Sequence, residues 1–139
     1  MGIRVDFSGT EVGNFDAIPA GSYVAKVTGG ELREAGENAK YPGSQYINWE
    51  FTIQEGEYTG RKQWTNTSLR EGALFGLKEL LAATGKFDVD GDLDFDIEDV
   101  IGSDVRISVR VKDYKGEAQN EVRRVKALDA AESGSSLMP

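Results

Sequence analysis

Three basic side chains, Arg106, Arg110 and Lys112, recur along Asp104-Val-Arg-Ile-Ser-Val-Arg-Val-Lys112, with Val105, Ile107, Val109 and Val111 between them. That period of two predicts a strand with one apolar and one cationic face. Arg123, Arg124 and Lys126 follow on Asn120–Leu128, the expected hairpin partner across the turn Asp113-Tyr-Lys-Gly116. Lys62 and Trp64 share one face of an earlier strand, Arg61–Leu69, and Tyr114 caps the last hairpin. Tyr46 lies on the polar side of the strand before Arg61. A cationic groove with aromatic platforms suits a single-stranded nucleic acid. Phosphates are held electrostatically, while each base stacks for roughly 1–3 kcal/mol whatever its identity. The same arginine rows also read as the solvated face of a barrel strand. Trp64 reads equally well as a core residue, because the register of its strand is open.

The other concentration of chemistry is acidic. Asp88, Asp90 and Asp92 imitate the opening of a calcium-binding EF-hand loop. The match then fails, with Leu93 where the sixth position needs glycine and Asp99 where the twelfth needs glutamate. Leu93, Phe95 and Ile97 alternate with Asp94, Asp96 and Glu98, which predicts a short strand-like segment with a solvated acidic edge. A carboxylate-metal nuclease would draw on the same side chains, but no lysine accompanies them. Histidine and cysteine are both absent, so Ser-His and Cys-His nucleophile pairs, ordinary zinc sites and disulfides are excluded. The expectation is a protein that is not an enzyme and needs no metal or other cofactor. Ser133-Gly-Ser-Ser-Leu-Met-Pro139 could dock a partner but reads better as a frayed end.

The net charge of −8 argues against nucleic acid, and its distribution weakens that argument. Residues 88–104 hold eight acidic side chains and no basic one, whereas residues 105–126 hold seven basic against three acidic. A local field can therefore be positive on an acidic protein. No apolar run approaches the roughly 20 residues that a membrane span needs, and the N-terminus lacks a basic-then-apolar leader pattern.

These side chains need a scaffold, and the rest of the chain predicts one. Tyr23–Thr28 is a first strand, and Gly29-Gly30 suggests a bulge or bend before Glu31–Arg33. Gln45–Gln54 is the clearest strand of all, with Ile47, Trp49, Phe51 and Ile53 on one side. Glu55–Gly60 turns it into Arg61–Leu69. The period then changes over Glu71–Gly85, where Leu74, Leu77, Leu80 and Leu81 form one helical face and Gly85 is a natural stop. Gly72 and Gly76 inside that helix suggest close packing. Strand, strand, strand, helix, strand, strand is the element order of an OB-fold barrel. The fold expected is mainly β, a five-stranded OB-fold barrel with one α-helix between strands 3 and 4. It spans residues 1–128, with 1–20 as an extended lead-in laying aromatic side chains such as Phe7 and Phe15 on the domain. Residues 129–139 are expected to form a flexible tail.

Gly21-Ser-Tyr23-x-Ala25-x-Val27, Trp49-x-Phe51-x-Ile53, Gly56-x-Tyr58-x-Gly60-Arg61 and Trp64 resemble a family of small phage-encoded proteins. So do Leu77-x-x-Leu80-Leu81-x-Ala83-x-Gly85, Ile101-Gly102 before the Val-x-Ile-x-Val strand, and Tyr114-x-Gly116 followed by Asn120-x-Val122. The family, formerly of unknown function, is described as single-stranded DNA-binding proteins with OB-folds, and the resemblance runs from about residue 15 to 128. It implies coating of exposed single strands during phage DNA replication or recombination, in the cytoplasm of an infected bacterial host. Phage or host replication proteins are the further partners that such a role implies, and the sequence leaves a homodimer open. Many single-strand binders end in an acidic tail tipped by an aromatic, whereas this chain ends Leu137-Met-Pro139. Recruitment would then fall to another element, such as the acidic segment 88–99. The alternative from another class is a structural or protein-interaction β-barrel module of a phage, without nucleic-acid binding.

Overall fold

The strand rows close over one another as their alternation requires. A computed structural model describes residues 2–4 and 17–128, apart from the side chain of Tyr114. Its strands are β1 (Gly21–Glu34), β2 (Gln45–Ile53), β3 (Lys62–Ser68), β4 (Asp104–Tyr114) and β5 (Glu117–Ala127). Two helices lie between β3 and β4: α1 (Phe75–Thr84) and the single turn α2 (Ile97–Val100). All five strands form one antiparallel sheet in the order β3-β2-β1-β4-β5. The inward rows of β1, β2 and β4 supply Ala25, Val27, Ile47, Trp49, Phe51, Ile53, Val105, Ile107 and Val109 to a single core, joined by Val122 and Val125 of β5, Leu77, Leu80, Leu81 and Ala83 of α1, Val100 of α2 and Ile18.

The bend expected at Gly29-Gly30 is present. The β1–β2 register shifts between Val27 and Gly29, so one long strand pairs with β4 over Gly21–Lys26 and with β2 over Ala25–Glu34. Gly30 has a second reason to be glycine. A Cβ there would stand 2.7 Å from Ile97 Cγ2 and 2.9 Å from the Trp49 ring, closer than atoms can pack. At the other end of the sheet, Lys115 and Gly116 take φ of 53° and 84° and close β4 onto β5 in a two-residue turn.

Several expectations need correction. The sheet is not a closed barrel, because no backbone ladder joins β3 to β5. The β5 edge is occupied instead by α1, whose Glu79 carboxylate accepts the Val125 N–H at 2.8 Å. Side chains alone bridge the seam, Gln63 Nε2 reaching Asn120 Oδ1 at 3.4 Å. The helix begins at Phe75 rather than Glu71, since Gly72 sits at φ 87° ahead of it. Nor do its glycines mark close packing: a Cβ on Gly72 would meet nothing within 4 Å, and one on Gly76 only Thr67 Cγ2 at 3.7 Å. The acidic segment is not a strand. It runs as a loop into α2, with Phe95 and Ile97 turned partly onto the core and Phe95 edge-on to Phe87 at 6.2 Å. Phe7, Phe15 and the tail 129–139 lie outside the described residues.

Candidate nucleic-acid interface

In β3 neither alternate row is apolar, and tertiary bonds decide which faces in. Thr67 turns inward because its hydroxyl accepts the indole N–H of the buried Trp49 at 2.8 Å. Gln63, also buried, reaches the Asn120 amide, which in turn bonds both N–H and C=O of Ile18 at 2.9 Å. Burying unpaired polar groups would cost on the order of 1–3 kcal/mol each, so these bonds hold the register. The opposite row, Lys62, Trp64 and Asn66, is thereby forced outward. Trp64 remains 53% exposed.

Glu50 of β2 sits opposite Trp64 and organises this outer face. Its carboxylate accepts the Thr28 hydroxyl at 2.7 Å and the Lys62 ammonium at 3.1 Å. The Thr28 bond is the chief cause that holds the Glu50 carboxyl below its ordinary range. Partial burial opposes it, and donation from Lys62 and the Trp64 indole reinforces it. The tryptophan ring stands beside this pair with about half of its surface open to solvent. A wet aromatic beside an ammonium is well suited to stack a flat ring and hold an attached anion. Beside it runs an open groove of about 700 Å³, with Lys62, Gln63 and Trp64 on one wall and Ala118, Gln119 and Asn120 on the other.

The arginine rows behave differently from one another. Arg106, Arg110 and Lys112 do share the outer face of β4, but Arg110 is tied to Glu121 at 2.5 Å. Arg124 and Lys126 converge on Glu79 at 2.6 and 3.2 Å, so they fasten α1 to β5. Arg124 also lies over the Phe75 ring, 5.5 Å from its centroid. Burial alone would raise the Glu79 carboxyl. The bonds from Arg124, the Val125 N–H and Lys126 outweigh that and hold it low. Arg123 is exposed at the β5 position where the register shifts between Ser108 and Val109. Arg106 is half-buried, and its Nε has no acceptor among the described residues.

A second aromatic–cation cluster lies at the Gln45–Ser68 end of the hairpin. The Arg70 guanidinium stacks 3.8 Å above the centroid of the exposed Tyr41 ring, and Lys40 approaches the same ring at 5.5 Å. Tyr46, half-buried on the outer face of β2, faces Arg33 of β1 across the ladder. The outer face of the β2–β3 hairpin therefore carries an aromatic near each end.

Residues 4–135 match the model of a family described as "Protein of unknown function (DUF669)". The chain belongs to that family. Every strand and both helices of the sheet domain fall inside the matched span. Among curated proteins no relative is found.

Within this DUF669 domain, Tyr46, Lys62 and Trp64 lie on one face of the hairpin, Tyr46 near one end and Lys62 and Trp64 toward the other, a placement that the alternation of β3 alone left open. Arg106, Arg110 and Lys112 form a second patch on β4, and Arg123 lies on its neighbour. Arg124 and Lys126 are drawn to α1 and belong with the scaffold. The side chain of Tyr114 lies outside the described residues. Sequence reasoning missed Tyr41, Lys40 and Arg70, which a polar loop and a strand end bring together. The adjacent Lys40-Tyr41 pair was the available signal.

Proposed function

We propose that this DUF669 protein is a sequence-tolerant single-stranded DNA-binding protein with an OB-fold, without enzymatic activity or cofactor, serving phage DNA replication or recombination in the cytoplasm of the infected host. The exposed Trp64 beside Lys62, at the lip of the β3–β5 groove, is the observation that carries this reading. A solvent-facing tryptophan is a poor choice for stability alone and a good one for stacking. The OB-fold assignment is supported by the element order, the glycine bend that lets β1 serve both β2 and β4, and the helix lying at the seam between β3 and β5. The family resemblance of the motifs adds the phage setting.

The test is a fluorescence titration with an oligo-dT of about thirty nucleotides at low salt. Trp49 is fully buried, so quenching should come from Trp64 and vanish in Trp64→Phe. Affinity should fall steeply with salt, because each phosphate neutralised releases counterions. Absence of both quenching and a mobility shift would remove the proposal.

One observation favours the alternative, a structural or protein-interaction β module. Lys62, Arg110, Arg124 and Lys126 are already paired with carboxylates, which leaves fewer cations for phosphate than the sequence promised. Stoichiometric protection of single strands but not duplex separates the two readings.

A further inference from the structure

The half of β1 beyond its bend has an open edge. Pairing between β1 and β4 ends at Lys26–Asp104, and backbone bonds between Val27 and the Gly102–Ser103 turn close that seam. From Gly29 to Glu34 the strand pairs with β2 alone, and among the described residues no backbone group from outside the sheet bonds its far side. A row of unpaired N–H and C=O groups is a ready template for another strand. Six residues at about 3.3 Å each give an edge of roughly 20 Å.

Next to this edge lies a groove of about 610 Å³ floored by Leu32, Ile47, Leu69, Phe95 and Ile97 and rimmed by Asp96 and Glu98. Leu32 is 50% exposed although it sits opposite the buried Ile47, on the row that elsewhere fills the core. The acidic segment leads directly to this rim, eight acids and no base between residues 88 and 104. The one cation on the edge, Arg33, is already bonded to Glu31 at 3.3 Å.

We propose that the Gly29–Glu34 edge and its groove dock an extended segment of another protein in which bulky apolar side chains alternate with Lys or Arg, added as a further strand beside β1. Backbone pairing supplies the affinity, the groove takes the apolar row, and the acidic rim selects cations. Charge decides among occupants. The chain's own residues 129–139 carry Asp129 and Glu132 and no base, and a second copy brings a net charge of −8. Both are repelled, and so is a phosphate backbone. The surface is therefore separate from the Trp64 face and able to act while that face is occupied.

Anisotropy of a fluorescein-labelled ten-residue peptide alternating Lys and Leu, titrated with the full chain, tests this. Two control peptides replace Lys by Glu or Leu by Ser. The Lys-Leu peptide should bind at least tenfold tighter than either control, and amide exchange should slow selectively within Gly29–Glu34. Leu32→Lys should abolish this binding. Asp96→Asn with Glu98→Gln, both at exposed positions, should weaken it about tenfold with circular dichroism unchanged, which covers the case of a misfolded Leu32 variant. A saturating oligo-dT should leave the peptide bound. Equal binding of the Lys-Ser peptide, protection of other strands, or displacement by oligo-dT would overturn the proposal. So would edge amides already protected in the free chain and released by deleting residues 129–139, or by dilution of a dimer.

Discussion

Replacing Glu79 should loosen the helix that occupies the β5 edge, and the size of the effect follows from its surroundings. The carboxylate is only 12% exposed and accepts from Arg124 Nε at 2.7 Å and Nη2 at 2.6 Å, from Lys126 at 3.2 Å and from the Val125 backbone at 2.8 Å. The two cations are nearly half exposed, so solvent screens them and their pairing belongs at the low end for ion pairs. Glu79→Gln keeps an acceptor for the Val125 N–H and loses the charge, a cost of about 1 kcal/mol. Glu79→Ala also orphans that N–H, raising the cost to about 2–3 kcal/mol. For a domain of this size 1 kcal/mol moves Tm by about 3–5 °C, so thermal unfolding followed by circular dichroism should fall about 4 °C for Gln and about 10 °C for Ala. The pH dependence adds a second check. Glu79 has a lowered pKa when folded, so its contribution is complete above the unfolded carboxylate value of about 4.3 and is lost as pH falls through the folded value. The gap between wild type and Glu79→Gln should therefore be full at pH 7 and narrow below about pH 4. Equal Tm values at pH 7, or a gap that persists undiminished at pH 3, would refute the assignment of Glu79 as the clasp between α1 and β5.

Other substitutions probe the remaining parts. Gly30→Ala should destabilise by about 1–3 kcal/mol in urea unfolding, because the new methyl meets both Ile97 and the Trp49 ring. Gly76→Ala should instead stabilise by about 0.5–1 kcal/mol, since its methyl meets only an ordinary contact with Thr67 and the helix gains propensity. Thr67→Val removes the acceptor of the buried Trp49 N–H and should cost about 1–3 kcal/mol, with a shifted tryptophan emission maximum. Trp64→Ala should weaken oligo-dT binding about tenfold or more while Tm stays within about 2 °C, read by mobility shift alongside thermal unfolding.

The strands that bury one side were legible without coordinates. Ile47, Trp49, Phe51 and Ile53 in β2, and Val105, Ile107 and Val109 in β4, each offer one apolar row, and the hydrophobic effect leaves only one way to turn it. The bend at Gly29-Gly30, the hairpin turns and the Leu77, Leu80 and Leu81 face of α1 were equally local, although Leu74, expected on that face, stands ahead of the helix and is exposed. The acidic segment misled because its alternation imitates a strand, whereas its Phe95 and Ile97 find their burial one at a time against β1 and Phe87.

Local pattern could not place Trp64, since Lys62, Trp64 and Asn66 are no more obviously outward than Gln63, Thr65 and Thr67. A hydroxyl for the Trp49 indole and an amide for Gln63 decided it, the latter from a strand 57 residues away. The arginines of β5 looked alike in sequence, yet Arg124 and Lys126 were committed to a helix carboxylate 45 and 47 positions earlier, while Arg123 remained outside. Composition and periodicity determined which residues could form strands and which side of β2 and β4 would be dry. Only tertiary structure decided which polar groups were consumed in holding the sheet and which remained for a ligand. Buried polar atoms must find partners wherever the fold brings them, and those partners lie far apart along the chain.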